Sequence, residues 1–279
     1  MRLVLAVVAV IIGAGTAALV AGSMSWNRAT GAAVELVTAS TPSPAFDVAK
    51  LDQLPPPVLR YFQKVLPDRQ PMIRSAIATQ DAEFFINGAW RPLRATQHFR
   101  TSPPAFVWDA RIDMVPLMPA FVRDSYIDGR GEMRASMFGV LTLANQSDKR
   151  ELNLGALQRF LGEAIWMPTA LLPSDSVTWA PRDDRSALAT LTDGPNSVTL
   201  QFVFGDDGMV KSLSGDRFKE ASGTYSLQTW QIQCDQPREH DRVLIPMHCS
   251  GPSLIAMMRT EMADRVITST PGTEFVFGA

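Results

Sequence analysis

No charged residue falls between Arg2 and Arg28, and the stretch from Leu3 to Gly22 is apolar or small throughout. Twenty helical residues rise about 30 Å, the thickness of a bilayer's hydrocarbon core. Trp26 follows at the position where an amphipathic ring suits the headgroup zone. Residues 1–22 are therefore expected to form one N-terminal transmembrane helix, with Arg2 on the cytoplasmic side and the remainder of the chain exported. A cleaved signal peptide is the rival reading. Ala21-Gly22-Ser23 would serve as a cleavage site, although the apolar run exceeds the roughly 7–15 residues of a signal core.

The other 257 positions of the 279-residue chain read differently. Over the whole chain, 26 Lys plus Arg against 28 Asp plus Glu give a formal charge of −2, and the hydrophobic fraction is 46%. That mixture excludes a disordered chain and lacks the basic stripe of a nucleic-acid binder, so no nucleic-acid partner is expected. Residues 23–46 are small and polar, with Thr41-Pro42-Ser43-Pro44 near their end, and read as a tether. Residues 47–279 show no repeat and are read as a single β-rich domain.

Within that domain Pro55-Pro56-Pro57 leads into a short helix carrying Val58, Tyr61, Phe62 and Val65 at helical spacing. The pattern then switches to period two. Asn87-Gly88 marks a hairpin between strands at 73–86 and 89–101. Further strands are predicted at 106–114, 121–127, 132–143, 177–180, 187–192, 197–204 and 210–218, followed by a hairpin of 225–233 with 242–249. A helix begins at Asn153, read as its cap, and carries Leu157, Phe160 and Leu161. A last helix is suggested after Pro252, where Leu254, Met258 and Met262 recur every four residues, with an irregular tail from Thr268. The expected class is α+β: a curved, mostly antiparallel sheet, half-barrel-like, with two or three helices.

Cys234 and Cys249 are the two cysteines. A hairpin loop centred on Pro237-Arg238 sets Cys234 opposite about Asp241 and leaves the two sulfurs roughly 25 Å apart along the strands. In that register they do not form a disulfide.

The segments Trp90-Arg91-Pro92-Leu93-Arg94-Ala95-Thr96-Gln97-His98-Phe99 and Phe106-Val107-Trp108-Asp109-Ala110-Arg111 resemble an uncharacterised bacterial domain-of-unknown-function family, DUF6544-like. The resemblance extends through Leu54 to Phe62, Asp128-Gly129-Arg130-Gly131, Trp166 to Pro173 and Leu191-Thr192-Asp193-Gly194. It covers most of Leu54 to Pro246 and implies no established activity. Relatives close with an aromatic-rich strand after the Ile245-Pro246 segment, whereas Ser250 to Ala279 is Met-rich and is expected to lack that strand. A looser analogy, by topology and location, is to LolA- and LppX-like envelope lipid carriers.

No nucleophile elbow, zinc motif, phosphate loop or dinucleotide fingerprint is present, so no cofactor and no metal are expected. His248, Cys249 and Cys234 lack zinc-ligand spacing, and Asp124 to Glu132 does not match a calcium loop. Asp109 and Asp113 share one face of a strand with Arg111, and His98 lies one strand back. In a cleft such a group would do acid–base work, and a hydrolase is one alternative. A solvated sheet face with cross-strand ion pairs accounts for the same alternation.

Trp90 and Trp108, with neighbouring aromatics, suggest instead an apolar wall, and His98, Asp109 and Arg111 a polar rim if their face turns inward. The expected function is therefore binding of an apolar or amphiphilic, lipid-like ligand, with Trp90, His98, Trp108, Asp109 and Arg111 as the binding residues. No catalytic residue is assigned. A non-catalytic assembly or scaffold protein is the remaining alternative, with no protein partner identified. The expected location is the bacterial inner membrane, single pass, facing the periplasm or cell exterior, or secretion if the segment is cleaved.

Overall fold

The computed structural model describes residues 1–39, 51, 53–67, 70–86, 88–115, 118–221, 224–252 and 257–275. The first helix, α1 (Arg2–Thr38), does not stop at Gly22. It continues through the first part of the segment read as a tether, because its second half finds a surface to cover. Val37, with Ala33 and Val34, packs on Ala105 and Val107 in a small buried cluster. The apolar first half, by contrast, is wholly exposed. Thr41-Pro42-Ser43-Pro44 lies outside the described residues.

Two meanders follow. β1 (Gln70–Ile86), β2 (Ala89–Arg100), β3 (Ala105–Val115), β4 (Met118–Ile127), β5 (Arg130–Met137) and β6 (Leu141–Gln146) pair in sequence. So do β7 (Val177–Asp183), β8 (Ser186–Asp193), β9 (Asn196–Phe204), β10 (Val210–Ala221), β11 (Thr224–His240) and β12 (Val243–Pro252). β13 (Met257–Phe275) joins the meanders by pairing antiparallel with both β1 and β12. The order β6-β5-β4-β3-β2-β1-β13-β12-β11-β10-β9-β8-β7 leaves β6 and β7 as edges, so the sheet is open rather than a closed barrel.

Three expectations are corrected here. The strand read at 132–143 is β5 and β6, split at Phe138-Gly139, where both residues take positive φ (58° and 74°). A bulky Phe at the first turn position hides the signal that Asn would have displayed. The suggested C-terminal helix and irregular tail are instead β13, running to Phe275. The facing edges of β1 and β12 need a partner for their backbone groups, and that need outweighs the local four-residue recurrence of Met.

The third concerns the cysteines. The β11–β12 turn is Asp241-Arg242, both at positive φ (52° and 66°), not Pro237-Arg238. Pairing His240 with Val243 carries the register up to Cys234 opposite Cys249, which form a disulfide with Cα atoms 4.2 Å apart.

Two helices cover the inner face. α2 (Pro56–Val65) presents Val58, Tyr61, Phe62 and Val65 to the second meander, where Tyr61 meets Phe204 and Phe62 meets Trp179 edge-on. Burying each of these side chains contributes about 1.5–3 kcal/mol. α3 (Arg150–Glu163) lies between β4–β5 on one side and β8–β10 on the other. Asn153 is inside this helix rather than at its cap, and its Oδ1 accepts the Gly131 N–H at 2.8 Å. Gly131 is required there, since a Cβ would sit 2.7 Å from the Leu152 carbonyl oxygen. The curl is pinned where two hairpin turns meet. The Tyr126 hydroxyl donates to Asp193 at 2.7 Å, and Asn196 donates to the Gly129 carbonyl at 2.8 Å.

Candidate functional site

Between the two meanders and α3 lies a cavity of about 90 Å³. Strand parity builds its walls. In the first meander the even positions of β3 and β4 turn inward and contribute Trp108, Ile112 and Val122; the second meander adds Leu213, Trp230 and Ile232. Gly162 on α3 lets the Trp230 ring come close, since a Cβ there would be 3.3 Å from it. The lining is mostly apolar, with charge gathered at the helix.

That charge is a buried network. Arg159, on α3, bonds Asp124 of β4 at 2.7 Å and Glu163, one turn on, at 2.8 Å. From the other side Trp108 donates to Gln80 at 2.7 Å, Gln80 donates to Gln97 at 3.1 Å, and Gln97 donates to Glu163 at 2.7 Å. Donors thus point along the chain toward Glu163, an arrangement that suits a carboxylate. The Arg159 guanidinium lies over the Trp108 ring, 4.8 Å from its centre, and Arg217 lies 4.7 Å over Trp230 while donating to the Gly155 carbonyl.

Burial drives the protonation behaviour of this group. It pushes the Glu163 carboxyl up, against the pull of Arg159 and Gln97. It lowers the Arg217 guanidinium to about 10. Burial also opposes the Arg159 charge, but the neighbouring Glu163 and Asp124 carboxylates outweigh it and raise that group. Three buried atoms of the cavity lining remain without a hydrogen-bond partner among the described residues: Asp124 Oδ1, Arg159 Nη2 and Arg217 Nε.

Of the residues singled out from the sequence, Trp108 lines this cavity. Trp90, His98, Asp109 and Arg111 do not, which corrects the expectation of an inward polar rim. Gln97 pairs with Trp108 and His98 with Val107, so Gln97 is on the inner side of the sheet and His98 on the outer. Trp90 packs on Phe85 beside the Gly88 turn, 5.3 Å between rings, on the same outer side. Asp109 and Arg111 share the outer face under α1. There the Trp26 indole N–H donates to Asp109 at 2.9 Å, Arg123 donates to Thr30 at 3.0 Å, and Arg111 stacks on Phe121.

Burial raises the Asp109 carboxyl, opposed by Trp26 and Arg123, and lowers His98, opposed by Asp109. Asp113 is exposed further along the strand. His98, Asp109 and Asp113 therefore meet a helix and solvent, and no cleft gathers them.

Sequence reasoning missed Gln80, Gln97, Arg159, Glu163, Arg217 and Trp230. One signal was present: Arg159 and Glu163 stand four apart on a helix whose neighbouring positions Leu157, Phe160 and Leu161 are core. Charges at that spacing on a buried face need partners brought by other strands.

A family described as "Family of unknown function (DUF6544)" matches residues 44–260. None of the curated proteins matches the chain. Among solved structures, similarity extends to a putative outer membrane lipoprotein-sorting protein domain from Vibrio parahaemolyticus, 7% identical, over 70% of this chain and 85% of that one, with a TM-score of 0.38. A DUF1329 family protein from Desulfovibrio piger is 7% identical over 80% of this chain and 93% of its own, with a TM-score of 0.40. A beta-barrel-like protein of the DUF1849 domain from Brucella abortus is 9% identical over 72% of this chain and all of its own (100%), with a TM-score of 0.25. Likenesses this remote do not bear on what the chain does.

Proposed function

The chain belongs to DUF6544, a family of unknown function, and from its own cavity we propose that it is a membrane-anchored, envelope-facing domain that binds an amphiphilic, lipid-like molecule. The observation that carries this reading is an apolar cavity whose lining residues Asp124, Arg159 and Arg217 each keep one buried polar atom without a hydrogen-bond partner among the described residues. Each such atom costs about 1–3 kcal/mol when buried without a partner. A ligand oxygen accepting from Arg159 and Arg217, with a hydroxyl donated to Asp124, would relieve that cost while its tail covers Trp108 and Trp230. At about 90 Å³ the cavity is smaller than the roughly 150 Å³ that admits benzene.

The location rests on two features. The exposed apolar half of α1 is long enough to cross a bilayer, and the Cys234–Cys249 disulfide suits the oxidising side of that membrane. The domain then faces the periplasm or cell exterior.

The test is native mass spectrometry of the full-length protein extracted from its own membrane. A stoichiometric lipid-like adduct is expected, and Trp108→Ala should remove most of it. A clean protein mass, together with no displaceable binding of a fluorescent fatty acid, would overturn the reading. The same spectrum reports whether residues 1–22 are retained.

A further inference from the structure

We propose that the hairpin tips beside Gly22 form a second membrane contact, an apolar foot that rests in the lipid interface next to the point where α1 leaves the bilayer. The inference rests on the anchor reading of α1 but is independent of any ligand in the cavity.

The argument begins with α1 as a rigid element. Its second half is clamped to the outer face of β2–β4 by the Trp26–Asp109 and Thr30–Arg123 bonds and by Arg100 donating to the Leu36 carbonyl at 3.0 Å. The domain therefore cannot swing freely beneath the membrane, and whatever lies beside the top of the clamped segment is held near the bilayer.

What lies there is the β5–β6 turn. Gly22, the last residue of the apolar or small stretch, touches Gly139 so closely that a Cβ on Gly139 would sit 2.5 Å from the Gly22 carbonyl oxygen. Antiparallel alternation brings the β1–β2 turn at Gly88 and the paired Val115 and Met118 ends of β3 and β4 to the same end of the meander. The Phe138 N–H donates to the Pro119 carbonyl at 3.3 Å and ties two of these tips together.

These tips are apolar where solvent would favour polar residues. Met118, Val140, Leu141 and Leu143 are 42%, 52%, 62% and 51% exposed. Among the described residues outside α1, the remaining exposed large hydrophobics are Ile77 and Leu227. Four of six thus gather at the end of the fold that α1 holds against the membrane. Gly22 lies only about 6 Å along the helix from Trp26, which the domain already holds through Asp109, so the tips sit where α1 leaves the domain. Shallow burial at that level, about 5–10 Å into the headgroup and acyl boundary, matches side chains such as Val140 and Leu141. The occupant is therefore lipid rather than a protein partner, because the surface is continuous with a membrane-crossing helix.

The experiment places single cysteines at Leu141 and, as a second tip position, Leu143 in the otherwise full-length, disulfide-bonded protein. Each variant carries an environment-sensitive fluorophore and is reconstituted into vesicles of phosphatidylethanolamine and phosphatidylglycerol. The control is Arg130→Cys, exposed at the opposite end of β5. Bromine-labelled acyl chains are expected to quench both tip positions severalfold more than the control. Quenching at 141 and 143 no greater than at 130, with residues 1–22 retained by intact mass, would overturn the foot alone. A water-shielded but unquenched tip would mean a protein neighbour and would also overturn it. Loss of residues 1–22 from the membrane-extracted chain would overturn it through the anchor on which it rests.

Discussion

Replacing Arg159 by methionine removes the cation but keeps most of the side-chain volume over Trp108. In the native protein its side chain is 11% exposed and its partners Asp124 and Glu163 are 4% and 10% exposed. Exposure this low means that solvent screening does little. Breaking such a pair by removing one member costs about 3–5 kcal/mol, because the stranded charges stay buried. Arg159→Met strands two.

The loss should depend on pH, with a definite sign. Burial already raises Glu163, and without Arg159 that carboxyl loses the main interaction opposing the rise. The folded state then binds more protons than the unfolded one, so stability falls as pH rises through the raised Glu163 value. Urea unfolding of the full-length protein in detergent should therefore show the deficit in full at pH 8 and largely restored at pH 4 to 5. Changing Asp124 and Glu163 to leucine together with Arg159→Met should cost far less than Arg159→Met alone, since the network is then removed as a unit. A pH-independent loss below about 1 kcal/mol would refute the reasoning, because that is the behaviour of solvated surface charges.

Four further outcomes are expected. Trp108→Phe keeps a ring on the cavity wall but leaves the Gln80 oxygen without its 2.7 Å donor, and should cost about 1–3 kcal/mol by denaturant midpoint while retaining more adduct than Trp108→Ala. Removing the disulfide by Cys234→Ser with Cys249→Ser frees a loop of 15 residues and should lower stability by about 3 kcal/mol, which reductant should reproduce on the unaltered protein. Trp26→Ala should release the lower half of α1, read as faster limited proteolysis within residues 23–38. Asp109→Asn keeps an acceptor for Trp26, and because burial raises the Asp109 carboxyl, it should remove the loss of stability that occurs as pH rises through that group.

The strand pattern was legible because period two and Asn-Gly or Asp-Gly turns are local properties, and β1 through β4 follow them closely. The missed β5–β6 and β11–β12 turns use Phe138 and Arg242 at positive φ, conformations that such side chains rarely adopt. Misplacing the second of these turns by a few residues was enough to separate Cys234 from Cys249. The candidate site was legible only at Trp108. Alternation tells which residues share a face but not which face is enclosed, so the sequence groups His98, Asp109 and Arg111 on one face and leaves open which way that face turns.

The sequence by itself determined the apolar length of the first helix, the meandering strands and the grouping of side chains by face. These follow from charge, helical rise and backbone period, which act over a few residues. The tertiary structure decided which face is inner, how β13 joins the meanders, and that the charges of Asp124, Arg159 and Glu163 are buried together. Asp124 and Arg159 are 35 positions apart and Gln97 and Glu163 are 66 apart. Only the curling of the sheet around α3 brings them within hydrogen-bond distance, and without that enclosure each would remain a solvated polar group.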